Sequence, residues 1–176
     1  MDAEHERARD VTVSLESEPV RTPPRSMIRL FWSLHRGLHR LSGGRFGLSR
    51  PKLGKRFGMM RIDTVGRRSG KLRMAILGYF EDGPNLVTLA MNGWGETPPA
   101  WWLNLESCPY ATVVLRDGQR RVHARSAVGP ERARLWARVQ EYPGWGADID
   151  ALAALRSIET PVVVLEPTTS GIRGPE

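Results

Sequence analysis

The sequence predicts a mainly β fold with helices (α+β), in which about six antiparallel strands form a closed sheet. Three observations support this class. Short apolar runs alternate with turn-forming residues, two of the turns contain the residues of tight hairpins, and only three or four short helical patterns interrupt the strands. A repeating βαβ arrangement would need a helix after almost every strand, so the antiparallel interpretation is favoured.

The first half of the predicted sheet is a hairpin followed by a third strand. Residues 59–65 and 72–80 are rich in apolar and β-branched residues, and they flank the turn at 66–70, which begins and ends with glycine. A second turn at 81–85 leads into a third strand over 86–91.

The second half of the chain supplies three more strands. Residues 111–116 and 120–128 are predicted strands joined at Asp117-Gly118, a strong hairpin signal. The last strand covers 161–165 and starts at a proline, which an edge or first strand position tolerates. Helices are predicted over 99–107, 130–141 and 147–157.

The chain of 176 residues, 40% of them hydrophobic, can bury one core and is expected to form one domain with tails. Residues 1–25 have few large apolar side chains and are predicted to be a disordered tail. Residues 26–42 have the spacing of a basic amphipathic helix. The barrel domain is expected over 55–167, and 168–176 is a second tail.

The positive charge of the protein is concentrated in one part of the chain. The overall charge is +7, but residues 21–75 contain fifteen basic residues and one acidic residue, whereas 1–20 and 76–176 carry net charges of −4 and −3. Such an asymmetry indicates an anionic partner near the first half of the domain. Phosphate groups, a polyacidic cofactor tail, nucleic acid and an anionic membrane surface all fit this requirement.

Several classes of site are excluded or disfavoured by residue content. Cys108 is the single cysteine, so an intramolecular disulfide is impossible and a reducing, cytoplasmic compartment is expected. The four histidines are scattered without cysteine or carboxylate companions, which argues against a metal centre. We expect neither a secretory signal nor a spanning helix, because no apolar run is long enough.

One group of residues that could bind a ligand remains, in the turn of the first hairpin. Arg67, Arg68, Lys71 and Arg73 lie close together, with Ser69 and Gly70 between them and Gly66 immediately before Arg67. Arginine forks bind phosphate oxygens through paired hydrogen bonds, and the N–H groups of a turn can surround an anion. The pattern therefore predicts an anion site, although a solvated basic turn would have the same sequence.

Five short runs occur in order over about residues 55–167: TVGRRSGKLR at 64–73, PAWWLNL at 99–105, PERARLW at 130–136, Tyr142-Pro143, and TPVVVLEP at 160–167. In this order they resemble the deazaflavin (F420)-dependent nitroreductase family. The resemblance implies an FMN-binding-like split β-barrel that binds coenzyme F420, an 8-hydroxy-5-deazaflavin with a phosphodiester and an oligoglutamate tail. It implies hydride transfer between that coenzyme and a small organic acceptor of quinone or nitro type.

The resemblance also implies which residues bind the cofactor. The phosphate and tail are expected at Arg67, Arg68, Ser69 and Arg73. The deazaflavin ring is expected along the second strand, at the end of the third strand and beside the first helix, with contacts from Met74, Ala75, Ile76, Ala90, Met91, Asn92, Ala100, Trp101, Trp102 and Asn104. For the two tryptophans a packing role is an equal alternative, and Asn104 has the alternative of bridging the backbone.

Tyr142 and Trp145 are the residues expected at the reacting centre. In the nitroreductase-like branch an aromatic trio follows the long helix and lines the acceptor pocket, whereas this chain has Tyr142, Trp145 and Asp148 there. The third strand ends in Met91-Asn92, where that branch has a small hydroxyl residue. Tyr142 can orient an acceptor oxygen or supply a proton, or it can simply pack. Because a deazaflavin delivers its two electrons as hydride, no further acid–base pair is required.

Two other functions remain open at this stage. The same barrel could carry FMN, or the basic segment could belong to a non-enzymatic module that binds nucleic acid or another anion. We favour the F420 interpretation with no nucleic-acid partner. Residues 26–41 could also lie on an anionic membrane surface, at the inner face of the cell membrane, and the protein is expected to be a monomer or a homodimer.

Overall fold

A computed structural model describes residues 47–93, 95–145 and 148–168. Within these ranges it contains three helices, namely α1 (Ala100–Ser107), α2 (Gly129–Val139) and α3 (Ile149–Ala154). It contains six strands, namely β1 (Gly58–Val65), β2 (Leu72–Asp82), β3 (Asn85–Leu89), β4 (Tyr110–Leu115), β5 (Gly118–Ser126) and β6 (Val162–Pro167). The predicted tail at 1–25 and the predicted basic helix at 26–42 lie outside the described residues.

The six strands form a closed barrel in the order β1-β2-β3-β6-β5-β4, and every pair is antiparallel. The predicted fold class is therefore confirmed. The β1–β2 hairpin runs in register from the pair Gly58 and Tyr79 to the pair Val65 and Leu72. The strand bounds differ from the sequence prediction by a few residues at most.

The β4–β5 hairpin turns one residue earlier than the sequence predicted. Leu115 pairs with Gly118, so the two loop residues are Arg116 and Asp117, and Gly118 is already the first residue of β5. The helix α3 is also shorter than the predicted 147–157. Its first turn is capped by the side chain of Asp148, which accepts a hydrogen bond from Ala151 N at 2.9 Å.

Alternating residues of the strands fill the barrel, and α1 packs into the same space. We call this set the interior cluster. Its members include Met60, Ile62, Tyr79, Leu86, Ala90, Val113, Val122, Val163 and Leu165 from the strands and the strand ends, and Trp101, Trp102 and Leu105 from α1. Because α1 contributes three large side chains, the barrel interior is a packed core and not a channel.

A second set of apolar residues, the outer cluster, covers the outside of β3 and β6. It joins Phe80, Val87, Leu89, Val162 and Val164 to Leu135, Val139, Tyr142, Trp145 and Ile149. The helix α2 and the segment that follows it therefore lie against the outer face of the barrel. The position of this segment is important for the site because it carries Tyr142 and Trp145.

The barrel is nearly open between β2 and β3, and we call this opening the split. The β2–β3 ladder contains only three residue pairs, from Phe80 and Val87 to Asp82 and Asn85. Beyond them β3 continues beside β6 alone, whereas residues 72–79 of β2 pair with β1 alone among the described residues. One edge of β2 is thus without a strand partner along most of its length, in the region that leads to the basic turn.

Candidate functional site

The basic turn comprises residues 66–71 and is closed by its own backbone. Gly66 N donates to Lys71 O at 2.9 Å, and Ser69 N and Gly70 N donate to Gly66 O at 3.1 and 2.8 Å. Gly70 has a φ of +64°, a left-handed conformation that favours glycine. The turn is thus held by its own backbone, and residues 67–71 are exposed.

The cations of this turn lack counter-ions within the described part of the chain. Arg67, Arg68, Lys71 and Arg73 are all exposed, and none of them takes part in the ion pairs formed by the described residues. The hydroxyl of Ser69 lies 3.4 Å from Arg73 Nη2. Four positive charges that form no ion pair with the described residues make a site that attracts phosphate or carboxylate groups.

Asn104 attaches the basic turn to α1. Its side chain is only 5% exposed, and its Oδ1 accepts a hydrogen bond from Arg67 N at 3.1 Å. Its Nδ2 donates to Thr64 Oγ1 at 3.1 Å, and the Thr64 hydroxyl donates to Arg73 O at 3.3 Å. The alternative of a backbone bridge therefore describes Asn104 in this structure, and contact between Asn104 and a cofactor stays a prediction.

The residues predicted along β2 occupy different faces of the strand. Met74 is exposed on the outer face, close to the basic turn. Ile76 is buried on that face beside Leu48 and Val114, whereas Ala75 packs against the interior cluster. All three residues lie on the stretch of β2 that borders the split.

The residues predicted at the end of β3 lie across the split. Ala90 is buried in the interior cluster, and its N–H donates to Pro161 O at 2.9 Å. Met91 is half-buried and packs against the outer cluster, and Asn92 is exposed. The fold therefore places the two predicted groups of ring contacts, on β2 and after β3, at the two sides of one opening.

The predicted contacts from α1 are mostly interior. Trp101 and Trp102 are buried in the interior cluster and meet edge to face, with ring centroids 6.3 Å apart. Their packing role is observed, and contact with a cofactor stays a prediction for both. Ala100, the first residue of α1, is exposed.

Tyr142 and Trp145 lie in the outer cluster, and we call these two residues the aromatic wall. Met91 packs against the same cluster. The Tyr142 ring stacks on Phe80 with centroids 5.3 Å apart, and Trp145 lies against Phe57 at 4.7 Å. The indole Nε1 of Trp145 is buried and has no hydrogen-bond partner among the described residues. A buried donor without a partner is costly, so a ligand oxygen that reached it would form a favourable hydrogen bond.

The structure shows that the Asp148 carboxylate caps α3. It also shows one residue that the sequence analysis missed. A Cβ atom on Gly78 of β2 would lie 3.0 Å from both Trp145 Cη2 and Phe57 Cδ2, so Gly78 leaves the space for the Trp145 ring. A glycine inside a strand is a recognised sign of such close approach, and this signal was present in the sequence.

The sequence model of the F420H(2)-dependent quinone reductase family matches residues 39–167. The chain belongs to this family. It is an F420H2-dependent oxidoreductase that acts on a quinone-type acceptor, and its coenzyme is F420. The resemblance to the deazaflavin-dependent reductases is thereby confirmed, and the alternatives of an FMN enzyme and of a nucleic-acid-binding module receive no support.

Two relatives are consistent with membership in the F420H2-dependent quinone reductases. The "Putative F420H(2)-dependent quinone reductase Rv3178" of Mycobacterium tuberculosis is 34% identical over 107 residues, which are 60% of this chain and 87% of that protein. A solved structure named "F420-H2 Dependent Reductase (FDR-A)" superposes with a TM-score of 0.56 at 26% identity, covering 68% of this chain and 96% of that chain.

A second solved structure, named "domain-swapped dimer", has a TM-score of 0.57 at 24% identity and covers 82% of this chain and 100% of that chain. At this identity it supports the split-barrel fold of the reductase alone. In the described ranges, no helix has the length and hydropathy to cross a bilayer. The same residues contain no cluster of potential metal ligands.

The residues of the site fit coenzyme F420. The exposed cations of the basic turn match a phosphodiester and a glutamate tail in charge and chemistry. The free edge of β2 begins immediately after that turn, and an unpaired strand edge offers peptide N–H and C=O groups to a planar heterocycle. The aromatic wall lies on the outer face of the barrel beside the same edge.

Proposed function

We propose that the basic turn binds the phosphate and glutamate tail of F420 and that the deazaflavin ring lies in the split, between β2 and the residues that follow β3. The observation that carries this proposal is the continuity of the two features. The stretch of β2 without a partner on one edge begins at Leu72, directly after Lys71. A ligand with an acidic tail and a planar ring can therefore contact both without a break.

The protein's contribution in this proposal is to bind and to orient. Alternate residues of an edge strand direct their N–H and C=O groups away from the partner strand, so the stretch from Met74 to Ile76 can offer backbone hydrogen bonds to the ring. Ala90, Met91 and Asn92 bound the other side. When bound, the reduced coenzyme supplies hydride to the acceptor, and the chain needs no nucleophile of its own.

The acceptor is proposed to lie against the aromatic wall. A quinone has a planar apolar ring and two carbonyl oxygens, which match aromatic side chains and an N–H donor respectively. The unpaired Nε1 of Trp145 is assigned to one of these oxygens. The hydroxyl of Tyr142 is assigned to orienting an acceptor oxygen or to donating a proton to it.

Titration of the protein with F420, followed by fluorescence or calorimetry, tests the cofactor site. Arg68→Ala should weaken binding by about 1–3 kcal/mol, the scale of a charge-assisted contact. Arg116→Ala is a matched control, because Arg116 is also an exposed arginine in a hairpin turn but lies at the opposite end of the barrel. Equal effects of the two substitutions, or tight binding of a deazaflavin that lacks phosphate and tail, would contradict the assignment.

Steady-state kinetics with a soluble quinone such as menadione test the acceptor site. Trp145→Phe keeps an aromatic ring but removes the indole N–H, so the KM for the quinone should rise by about tenfold, the scale of one lost hydrogen bond. The stability should hardly fall, because the donor is unpaired in the free protein. An unchanged KM would remove Trp145 from the acceptor site, and Tyr142→Phe applies the same test to the phenol.

Membrane association through residues 26–41 stays a separate proposal, since these residues lie outside the described ranges. A quinone acceptor dissolves in lipid, and a basic amphipathic helix binds anionic lipid surfaces. Deletion of residues 1–42 should abolish co-sedimentation with anionic vesicles at low salt. Retained co-sedimentation would disprove this role.

The oligomeric state, predicted as monomer or homodimer, is also open to direct measurement. The similar structure named a domain-swapped dimer raises the homodimer as the state to test. Light scattering of the purified chain, with and without F420, gives its mass in solution. A mass of 19.7 kDa would indicate the monomer, and twice that mass the homodimer.

A further inference from the structure

The segment that follows α3 holds the loop that follows β3. Arg156 is only 7% exposed, and its Nε donates to Gly95 O at 3.1 Å. Its Nη1 donates to the hydroxyl of Thr160. The planar guanidinium thus joins the loop after β3 to the start of β6, with two of its nitrogens fixed at once.

A second tie lies beside the first. Ser157 N donates to Glu96 Oε2 at 3.1 Å, and the Ser157 hydroxyl donates to the same carboxylate. Adjacent residues of the α3–β6 connection therefore bind adjacent residues of the loop, across 61 positions of sequence. We call the set of Arg156, Ser157, Gly95 and Glu96 the clamp.

The clamp leads directly to the rim of the split. Gly95 N donates to Asn92 O at 3.0 Å and closes a turn in which Gly93 has a φ of +56°. Arg156 is therefore two hydrogen bonds away from Asn92. Asn92 and its neighbour Met91 are the residues that border the split after β3.

The burial of the Arg156 guanidinium carries a desolvation penalty. Desolvation lowers the pKa of its guanidinium, which nevertheless keeps its proton at neutral pH. Its Nη2 is buried without a hydrogen-bond partner among the described residues. Replacement of buried charged groups by apolar ones is often neutral or stabilising, so stability alone is a weak reason for this arrangement.

We propose that Arg156 is a positioning residue for the reductase reaction. It fixes the turn from Asn92 to Gly95, and thereby the places of Met91 and Asn92 against the deazaflavin ring and the acceptor. This inference rests on the proposed function, because it assumes that the quinone lies between the split and the aromatic wall. A displacement of about 1 Å at such a rim is enough to lower turnover strongly.

The test combines kinetics with hydrogen exchange on the full chain. Arg156→Met and Glu96→Ala should each raise the KM for menadione by about five- to tenfold, with a smaller change in kcat, and the F420 dissociation constant should rise as well, because Asn92 borders the ring. Arg156→Lys, which can reach only one of the two acceptors at a time, should give an intermediate KM. In the free protein, amide exchange at residues 92–96 should accelerate in the variants.

Arg132→Met is the matched control. Arg132 is bound to the same connection, through Thr160 O at 3.4 Å and Glu159 Oε1 at 2.7 Å, but it forms no hydrogen bond or ion pair with the described residues of the loop after β3. The Arg132→Met protein should have the wild-type KM for menadione and wild-type amide hydrogen exchange at residues 92–96.

Two results would overturn the proposal: an unchanged KM in both Arg156→Met and Glu96→Ala, or unchanged exchange at 92–96. If Arg156→Met does not fold, Glu96→Ala alone decides, because its side chain is exposed and its loss leaves the core intact. Lack of F420 binding by the wild type would refute the proposed function instead. The exchange measurement on the free protein distinguishes that failure from failure of the clamp.

Discussion

The side-chain oxygen of Asn104 accepts a hydrogen bond from the backbone N–H of Arg67 at 3.1 Å, which joins the first helix to the basic turn across 37 positions of sequence. The same side chain donates to Thr64 on the strand that enters the turn. A hairpin tip held only by its own backbone would be mobile. Asn104 therefore gives the cations of this turn a fixed base from the barrel core.

Removal of the Asn104 side chain should weaken both the fold and the cofactor site. Asn104→Ala loses two hydrogen bonds in a buried place, so the free energy of unfolding should fall by about 1–3 kcal/mol. The F420 dissociation constant should rise about three- to tenfold, because the turn loses its attachment. Urea unfolding and F420 titration measure the two effects. In contrast, Arg68→Ala should affect binding alone, and an Asn104→Ala protein with wild-type affinity would contradict the positioning role.

A methyl group on Gly78 should disturb the aromatic wall without unfolding the barrel. The added Cβ lies 3.0 Å from Trp145 Cη2, so the indole must shift. Alanine suits a strand better than glycine does, and the stability of Gly78→Ala should change by about 1 kcal/mol or less. The KM for menadione should rise by about fivefold or more. In a Trp145→Phe background, which lacks Cη2 and leaves only the Phe57 contact, the same substitution should have a smaller effect on the KM. Equal effects in both backgrounds would show that the contact with Trp145 is irrelevant.

Gly144 is required by the path of the chain between Tyr142 and Trp145. Its φ is +114°, and an added Cβ would lie 2.6 Å from Phe57 Cε1. Gly144→Ala should therefore lower the free energy of unfolding by about 2–3 kcal/mol, from strain and overpacking together. Gly54→Ala is the control, with a φ of +68° and open space around the Cβ, and should cost about 1–2 kcal/mol. Chemical denaturation gives the loss in free energy of unfolding for each variant, and the excess loss in Gly144→Ala is the cost of the clash with Phe57. Equal losses in the two variants would show that this clash has no cost.

The stability of the protein should depend on Asp82 at acid pH. Arg134 donates to both Asp82 oxygens at 2.9 Å, and this pair, with Arg138, attaches α2 to the β2–β3 hairpin. These hydrogen bonds hold the pKa of Asp82 below its ordinary value of 3.8. A lowered folded pKa means that the stabilisation is complete above the unfolded value and is lost as the pH falls through the folded value.

Asp82→Asn should accordingly be less stable than the wild type by about 1–2 kcal/mol at pH 7. The difference should diminish as the pH falls below 3.8, where the wild-type carboxyl becomes protonated. Urea unfolding across this range measures it. Asp117→Asn, which breaks an exposed pair with Arg50, should cost less than about 1 kcal/mol and serves as the control. A difference for Asp82→Asn that persists unchanged at low pH would exclude the carboxylate as its cause.

Local sequence patterns were sufficient to predict the strands and hairpins of this fold. The alternation of apolar residues, the glycines at 66 and 70 and the Asp117-Gly118 pair predicted the strands and both hairpins, because strand pairing across a short turn depends on residues that are close in sequence. The bounds were less accurate. Sequence placed Gly118 in the turn of the second hairpin, whereas the register makes it the first residue of β5.

The candidate site was predicted in part. The basic turn was evident from residue types alone, since a local concentration of charge needs no tertiary information. The inward packing of Trp101 and Trp102 was not decided by sequence, because a large aromatic residue on a short helix suits a core and a ligand pocket equally. The placement of Trp145 over Gly78 joins residues from different elements. A glycine inside a strand indicates that some group approaches closely, but it does not indicate which residue does so.

The amino-acid sequence by itself determined the six strands, the order of the helices and the position of the positive charge, because these depend on neighbouring residues and on periodicity. Only the tertiary structure decided where the barrel opens between β2 and β3, which face carries the aromatic wall, and that Arg156 and Asn104 hold the loops on either side. Such contacts join residues dozens of positions apart, and the chain brings them together only when the barrel closes and its two apolar clusters pack.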